Sequence, residues 1–221
     1  MNGLPITSTL AGVAQRTKIK VGEYNTSQQD DNERWITVTE IITFGYQFGH
    51  CCYHDIALIR LAETLTRTEA IDFIPLDAGA LILGDPITIL GWGKQAGAPR
   101  NPILQLGQTH VSQLYPLEFA TQGGAQIGGG DSGGPAVAQY NTLAGASSSV
   151  SDTTSYYVAI AHYRQQIEEA IVAQSRSRQP VDQPDPCPSH TVEIEPGICL
   201  EIEPDHYAPI YLPIIYGEPT R

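Results

Sequence analysis

The chain has 221 residues, enough for one sizeable domain with a tail, and 41% of them are hydrophobic, as in a folded protein. A formal net charge of −12 and a pI near 4.7 argue against nucleic acids and anionic membranes as partners. No apolar run reaches membrane-spanning length, so we predict no membrane partner.

Short strand-like segments follow one another along most of the first 160 residues. Each one shows alternating apolar residues or a short apolar run, and turn-forming residues separate them. Many short strands with frequent turns predict an all-β barrel or sandwich. The predicted strands are Lys18–Glu23, Trp35–Ile41, Asp55–Leu61, Ile74–Leu76, Pro86–Leu90, Leu104–Val111, Ala136–Ala138, Leu143–Ala146 and Tyr156–Ile160.

One helix is predicted, from about Ala161 to Gln174. Tyr163, Ile167, Ala170 and Ile171 recur at helical spacing and would share one face, while good helix formers fill the other positions. We therefore expect a single helix to close the β domain.

The composition changes near residue 175, where prolines and arginines indicate a linker. We predict a domain of residues 1–175 and an acidic, Pro-rich tail of residues 176–221 that is dispensable for folding of the domain. Within the tail, Val192–Pro196 and Leu200–Pro204 echo each other and predict a hairpin. Its glutamates could attract Ca²⁺ or a basic partner, but a solvated acidic face is favoured.

The cysteines do not form the spacing of a disulfide framework or of a metal site. Neighbouring Cys51 and Cys52 cannot easily bond to each other. Cys187 and Cys199 could pair across a turn in an exported protein. We predict no metal and no other cofactor.

The most informative motif is Gly-Gly-Gly-Asp-Ser-Gly-Gly-Pro at residues 128–135. Glycines let the backbone approach a substrate carbonyl, and their N–H groups can point at an oxyanion. Ser132, held between an Asp and glycines, is therefore a candidate nucleophile. A flexible glycine loop is the alternative, but the length of the run favours a catalytic loop.

This run resembles the nucleophile loop of the trypsin/chymotrypsin family of serine proteases, and the resemblance covers roughly residues 16–174. The segment Asp55-Ile56-Ala57-Leu58 is similar to the family's acid motif, and Gly91-Trp92-Gly93 to its glycine-tryptophan-glycine turn. The resemblance implies a double β-barrel whose first barrel is incomplete here. It also implies a secreted, monomeric serine endopeptidase that acts on polypeptides without a cofactor.

The resemblance assigns catalytic roles to three residues and a structural role to a fourth. Ser132 would be the nucleophile and Asp55 the acid, and the backbone N–H groups of Gly130 and Ser132 would form the oxyanion hole. Asp131 would be structural, because in the family it pairs with a freed N-terminal amine. No such terminus is recognisable upstream of Gly22, so a loop arranged as in an inactive precursor is expected.

The resemblance also places four residues at the substrate. Gln126 would lie at the base of the specificity pocket, where a neutral side chain implies no preference for Lys or Arg. Ser148, Ser149 and Val150 would line the cleft, and Ser148 would also support the acid. Ser149 and Val150 replace the Trp-Gly usual in the family.

The histidine of such a site is missing from its expected position. In the family it precedes the Asp by about 45 residues, which leads here to Thr9-Leu10-Ala11, and no histidine occurs before His50. His50 could substitute, but a surface histidine is favoured. The start of the chain shows no signal peptide, which suggests an incomplete N-terminus.

Two interpretations follow from the missing base. This chain is a truncated serine endopeptidase that is inactive as written, or a non-catalytic homologue that acts as a peptide- or protein-binding module. Truncation is favoured, because family-like sequence resumes from about Gly12 onward.

Overall fold

The computed structural model describes residues 8–9, 11–46, 54–77, 79, 81–94, 99–176, 191–195 and 198–201. Most of the described elements are strands, which confirms the all-β prediction. They form one open sheet, one closed barrel with a helix that packs beside it, and a two-stranded hairpin.

The open sheet is built around its longest strand, β3 (Arg34–Thr43). Antiparallel partners of β3 are β1 (Ser8–Thr9), β2 (Lys18–Val21) and β4 (Ala57–Leu61), and the short helix α1 (Ala11–Ala14) lies between β1 and β2. Alternation along β2 buries every second side chain. The core of this sheet consists of Ala14, Ile19, Val21, Ile36, Val38, Ile41, Leu65 and Ile71.

The closed barrel contains six strands in the order β10-β7-β6-β5-β8-β9. In chain order they are β5 (Pro86–Gly91), β6 (Gln105–Leu114), β7 (Glu118–Gln122), β8 (Pro135–Ala138), β9 (Thr142–Ser151) and β10 (Thr154–Ala159). A 3₁₀ turn at Gln139–Asn141 joins β8 to β9.

Aromatic rings fill the barrel interior next to a glycine. The rings of Phe119 and Tyr157 stack with their centroids 5.0 Å apart. A Cβ on Gly145 would lie 2.6 Å from the Phe119 ring, so only glycine permits this close approach of β9. The other buried members of this core are Ile87, Ile89, Val111, Ile127, Ala136 and Ala144.

Helix α2 (Ile160–Arg176) follows β10 directly and confirms the predicted helix, with slightly wider bounds. Its buried face contains Tyr163, Ile167 and Ala170, as the helical spacing predicts. This face packs with residues of both sheets, among them Ile42, Phe44 and Leu143. The helix therefore joins the open sheet to the barrel.

The predicted hairpin of the tail is confirmed. Strands β11 (Thr191–Glu195) and β12 (Ile198–Glu201) pair antiparallel, with Val192 opposite Leu200. The side chain of Cys199 is not described, and Cys51, Cys52 and Cys187 lie outside the described residues, as does His50. The division of the chain at residue 175 remains a prediction.

The predicted strand at Ile74–Leu76 is wrong. This segment makes a single parallel bridge, between Leu76 and Leu143. Pro75 has no N–H group, so it contributes only its carbonyl, which accepts a hydrogen bond from Leu143 N at 2.8 Å. Elements β1, α1 and β7 were not predicted from the sequence.

A buried charge cluster fixes the turn between β2 and β3. Lys20 Nζ lies 2.5 Å from Glu23 Oε2 and 2.6 Å from Glu33 Oε2, and the Glu33 side chain is fully buried. Hydrogen bonding to Lys20 holds the pKa of Glu33 below its ordinary value. Hydrogen bonds to the two glutamates raise the pKa of Lys20. The charged forms of Lys20 and Glu33 therefore support the fold.

Replacing Glu33 by Gln is expected to reduce the free energy of unfolding at neutral pH. The free energy of unfolding of the variant should also fall less on acidification than that of the wild type. Because the pKa of Glu33 is lowered in the folded state, its contribution is complete above the ordinary value of 4.5 and is lost as the pH falls through the lowered value. Urea unfolding near pH 6 and pH 3 measures this, with Glu63→Gln as the exposed control. If the free energy of unfolding falls equally between pH 6 and pH 3 in Glu33→Gln and in the wild type, the lowered pKa of Glu33 is contradicted.

Candidate active site

The glycine-rich loop at 128–135 lies between β7 and β8 and presents Ser132 at the surface. Gly130 and Gly133 have φ values of +105° and +77°, a region that side chains disfavour, so the loop requires glycine there. Asp131 N donates to Gly128 O at 3.0 Å, and Gly134 N donates to Asp131 O at 2.8 Å. These bonds make a tight turn from which the serine side chain projects, exposed.

The carboxylate of Asp131 ties this loop to the glycine-tryptophan-glycine turn. Its Oδ1 accepts a hydrogen bond from Gly93 N at 2.7 Å, and its Oδ2 accepts one from Gly128 N at 2.8 Å. A Cβ on Gly91 or Gly93 would overlap the carboxylate, which explains why this turn contains glycines. Two backbone amides therefore satisfy a half-buried carboxylate for which no partner amine was recognisable in the sequence. The inactive-precursor arrangement of the loop remains a prediction.

Asp55 is held by a serine from the other half of the molecule. Ser148 Oγ, on β9, donates to Asp55 Oδ2 at 2.9 Å. Asp55 stands just before β4, at the edge of the open sheet. The contact is the one that a serine supporting the catalytic acid would make.

Backbone hydrogen bonds bring the serine loop to the same strand. Gly133 N donates to Ser147 O at 2.7 Å, and Ser147 N donates to Gly134 O at 2.9 Å. Ser147 precedes Ser148 in β9, and Gly133 follows Ser132. The candidate acid and the serine loop are therefore both bonded to β9, the acid through the side chain of Ser148 and the loop through the backbone of Ser147.

His54, next to the acid, makes a contact that the sequence did not predict. Its Nδ1 lies 2.7 Å from Tyr163 OH, and the two rings form an edge-on pair with centroids 5.9 Å apart. Burial, and then the charge of Glu118, raise the pKa of Tyr163 to about 12, so the phenol keeps its proton at neutral pH. With a φ of 55°, His54 is not in a strand, so its side chain need not alternate with that of Asp55.

Glu118, at the start of β7, was also missed. Burial, and then the charge of Asp55, raise its pKa. Its Oε1 is buried and has no hydrogen-bond partner among the described residues. A second carboxyl thus lies near the candidate acid, and no motif in the sequence marks it.

Replacing Glu118 by Gln is expected to stabilise the fold at neutral pH and to have little effect near pH 4. Because the folded-state pKa is raised, the favourable contribution of the protonated carboxyl is complete below the ordinary value of 4.5 and is lost as the pH rises through the raised value. Thermal unfolding of the variant and the wild type at both pH values measures this. Glu168→Gln, on the exposed side of α2, is the control. A melting temperature shifted by the same amount at both pH values would contradict the prediction.

The predicted substrate residues lie on two segments near the loop. Gln126 is exposed, and its Nε2 donates to Asp152 O at 2.9 Å. Ser149 and Val150 follow Ser148 on β9 and pair with Tyr156 and Ser155 of β10. Their roles at a substrate remain predictions.

The described residues contain no candidate metal-ion site and no candidate membrane-spanning helix. No group of three His, Cys, Asp or Glu side chains in that part of the chain is placed to hold a metal ion. Nor does any helix there have the length and apolar character needed to cross a membrane.

Comparison with known proteins decides the family. The model of the Trypsin family matches residues 9–171, most of the chain. The chain belongs to the trypsin family. It is 29% identical over 136 residues to trypsin I-P1 of Gallus gallus and 26% identical over 178 residues to a trypsin of Squalus acanthias.

These matches cover different shares of this trypsin-family chain and its relatives. The first spans 54% of this chain and 55% of the Gallus gallus protein, little more than half its length. The second spans 72% of this chain and 78% of the Squalus acanthias protein. Mouse neuropsin, described as a serine protease expressed in the limbic system of the brain, matches 70% of this chain and 78% of its own with a TM-score of 0.64 and 22% identity.

The family membership and the fold resemblance confirm the predicted trypsin-like double barrel. The barrel of β5 to β10 is closed, and the open sheet of β1 to β4 is the incomplete barrel. Members of the trypsin family act on polypeptides and are typically secreted. The catalytic roles of individual residues in this chain do not follow from membership alone.

Proposed function

We propose that this chain carries the nucleophile and the acid of a secreted serine endopeptidase site. The hydrogen bond from Ser148 to Asp55 supports the proposal most strongly, because it joins the two halves of the molecule beside the serine loop. In this proposal Ser132 attacks the peptide carbonyl, and the N–H groups of Gly130 and Ser132 bind the oxyanion. A base takes the serine proton and returns it to the leaving amine.

No described histidine is suited to be that base. His54 is engaged by Tyr163, and His110 is an exposed residue of β6. His162 packs edge-on against Tyr163, and its pKa is lowered by burial and then by His54. Without a base the serine hydroxyl stays protonated and attacks poorly. These 221 residues alone are therefore proposed to bind a polypeptide in the cleft but to hydrolyse it very slowly.

Hydrolysis of activated esters and labelling by a fluorophosphonate test this proposal. We expect the wild type to differ little from Ser132→Ala in either assay, because loss of triad members costs on the order of 10⁶ in kcat. Asn141→Ala, in the turn before β9, serves as a control for handling and purity. Robust turnover that disappears in Ser132→Ala would contradict the proposed inactivity. It would show that His50 or another group supplies the base.

A further inference from the structure

The guanidinium group of Arg100 lies directly against the serine loop. A Cβ on Gly130 would overlap Arg100 Nη2 and would stand 3.5 Å from Arg100 Cζ. With φ at +105°, Gly130 is a position that other residues disfavour, so the arginine packs on bare backbone. The Arg100 side chain is nevertheless exposed. A positive charge thus stands at the mouth of the proposed oxyanion hole.

This charge is not neutralised within the part of the chain that the structure describes. Lys20, Arg34, Arg60, Arg67 and Arg164 all form ion pairs there. Arg100 forms none, although acidic residues outnumber basic ones 24 to 12. The carboxylate of Asp131, its neighbour across Gly130, already accepts two backbone hydrogen bonds. A guanidinium group whose N–H donors are exposed can form a bidentate pair of hydrogen bonds with a carboxylate.

The position of Arg100 indicates which part of a bound peptide it would contact. The serine loop is bonded on one side to β9, through Gly133 and Ser147. Nearer its start, the loop accepts a hydrogen bond from Lys94 N at Gly129 O, at 2.9 Å, and Gly130 contacts the Arg100 guanidinium. Consider a peptide whose residues before the bond held at Ser132 lie along β9. The residues after that bond must therefore extend toward Arg100.

We propose that Arg100 is a specificity-determining residue that binds an acidic side chain just after the bond held at Ser132. The inference rests on the proposed function, because it needs a peptide in the cleft. The partner it selects is a polypeptide with Asp or Glu on the C-terminal side of that bond. Arg100 is not required for the chemistry itself.

Binding of two peptide mixtures to the full chain tests the inference. The fluorescein-labelled mixtures are Ala-Ala-Xaa-Asp-Ala and Ala-Ala-Xaa-Asn-Ala, where Xaa is an equal mixture of uncharged residues. We expect the Asp mixture to bind about two- to fivefold more tightly at low salt, the range of an exposed ion pair. The difference should shrink as salt is added. Arg100→Gln should abolish it, and Arg100→Lys should keep part of it.

Arg67→Gln is the matched control, since it removes the same charge from an exposed arginine of another loop. It should leave the preference unchanged. A preference that survives in Arg100→Gln, or falls equally in Arg67→Gln, would overturn the inference. Equal binding of both mixtures by the wild type would also overturn it and leave the proposed function standing. If the Asn mixture fails to bind as well, the proposed cleft itself fails, and the inference with it.

Discussion

Endopeptidase activity that depends on Ser132 is expected when a family-type N-terminal segment, from Ile-Val-Gly-Gly through Ala-Ala-His-Cys, is joined to this chain near Gly12. The acid, its supporting Ser148 and the glycines of the loop are already present and bonded to one another. General-base catalysis by the added histidine contributes about 10²–10⁴ in rate, and more when it acts with its partners. A Cβ on Gly12 would meet open space, so a side chain at the junction has room there.

Kinetics on peptide libraries would measure the effect of the graft. Two controls isolate the triad, namely the same graft with Ala in place of its histidine, and the graft combined with Ser132→Ala. Cleavage after Lys or Arg should not dominate, because Gln126 is neutral and engages the Asp152 carbonyl. A folded and correctly processed graft without Ser132-dependent hydrolysis would contradict the proposal. The chain would then be better described as a non-catalytic binding module.

Replacing Tyr163 by Ala is expected to destabilise the protein by about 3–5 kcal/mol, as for other buried aromatic residues. The Tyr163 side chain is fully buried and packs against Phe44, with ring centroids 6.1 Å apart. Its hydroxyl also anchors His54, the residue before Asp55. Loss of the ring would therefore weaken both the packing of α2 and the position of the candidate acid.

Tyr163→Phe separates the ring from the hydroxyl. It keeps the packing and should cost only about 0.5–1.5 kcal/mol, the net contribution of one hydrogen bond. Because the pKa of Tyr163 is raised to about 12, its contribution is complete below the ordinary value of 10.0 and is lost as the pH rises toward 12. The Tyr163→Phe variant should lack this loss of stability at high pH.

Urea unfolding measures both Tyr163 variants. Tyr24→Ala is the matched control, since the same change at an exposed tyrosine should alter the free energy of unfolding by about 0.5 kcal/mol or less. A Tyr163→Ala variant no less stable than Tyr24→Ala would contradict the assigned packing. If Tyr163→Phe loses as much stability as the wild type when the pH rises toward 12, the raised pKa of Tyr163 is contradicted.

The sequence alone predicted the local elements and the family, because both depend on patterns within short segments. Alternation predicted β2, and the spacing of Tyr163, Ile167 and Ile171 predicted α2. The run at 128–135 identified the serine loop, since each residue type there serves a local backbone need. Ile74–Leu76 was misassigned because an apolar run containing a proline resembles a strand until its partners are known.

Only the tertiary structure decided which residues meet at the candidate site. Ser148 reaches Asp55 across 93 positions of sequence, and His54 reaches Tyr163 across 109. The contact of Arg100 with Gly130 and the effect of Asp55 on Glu118 likewise depend on how strands pair around a barrel. Such pairings are set by burial of the whole core and by satisfaction of backbone hydrogen bonds, which no local pattern encodes. The sequence thus predicted the role of the serine loop, and the fold determined what surrounds it.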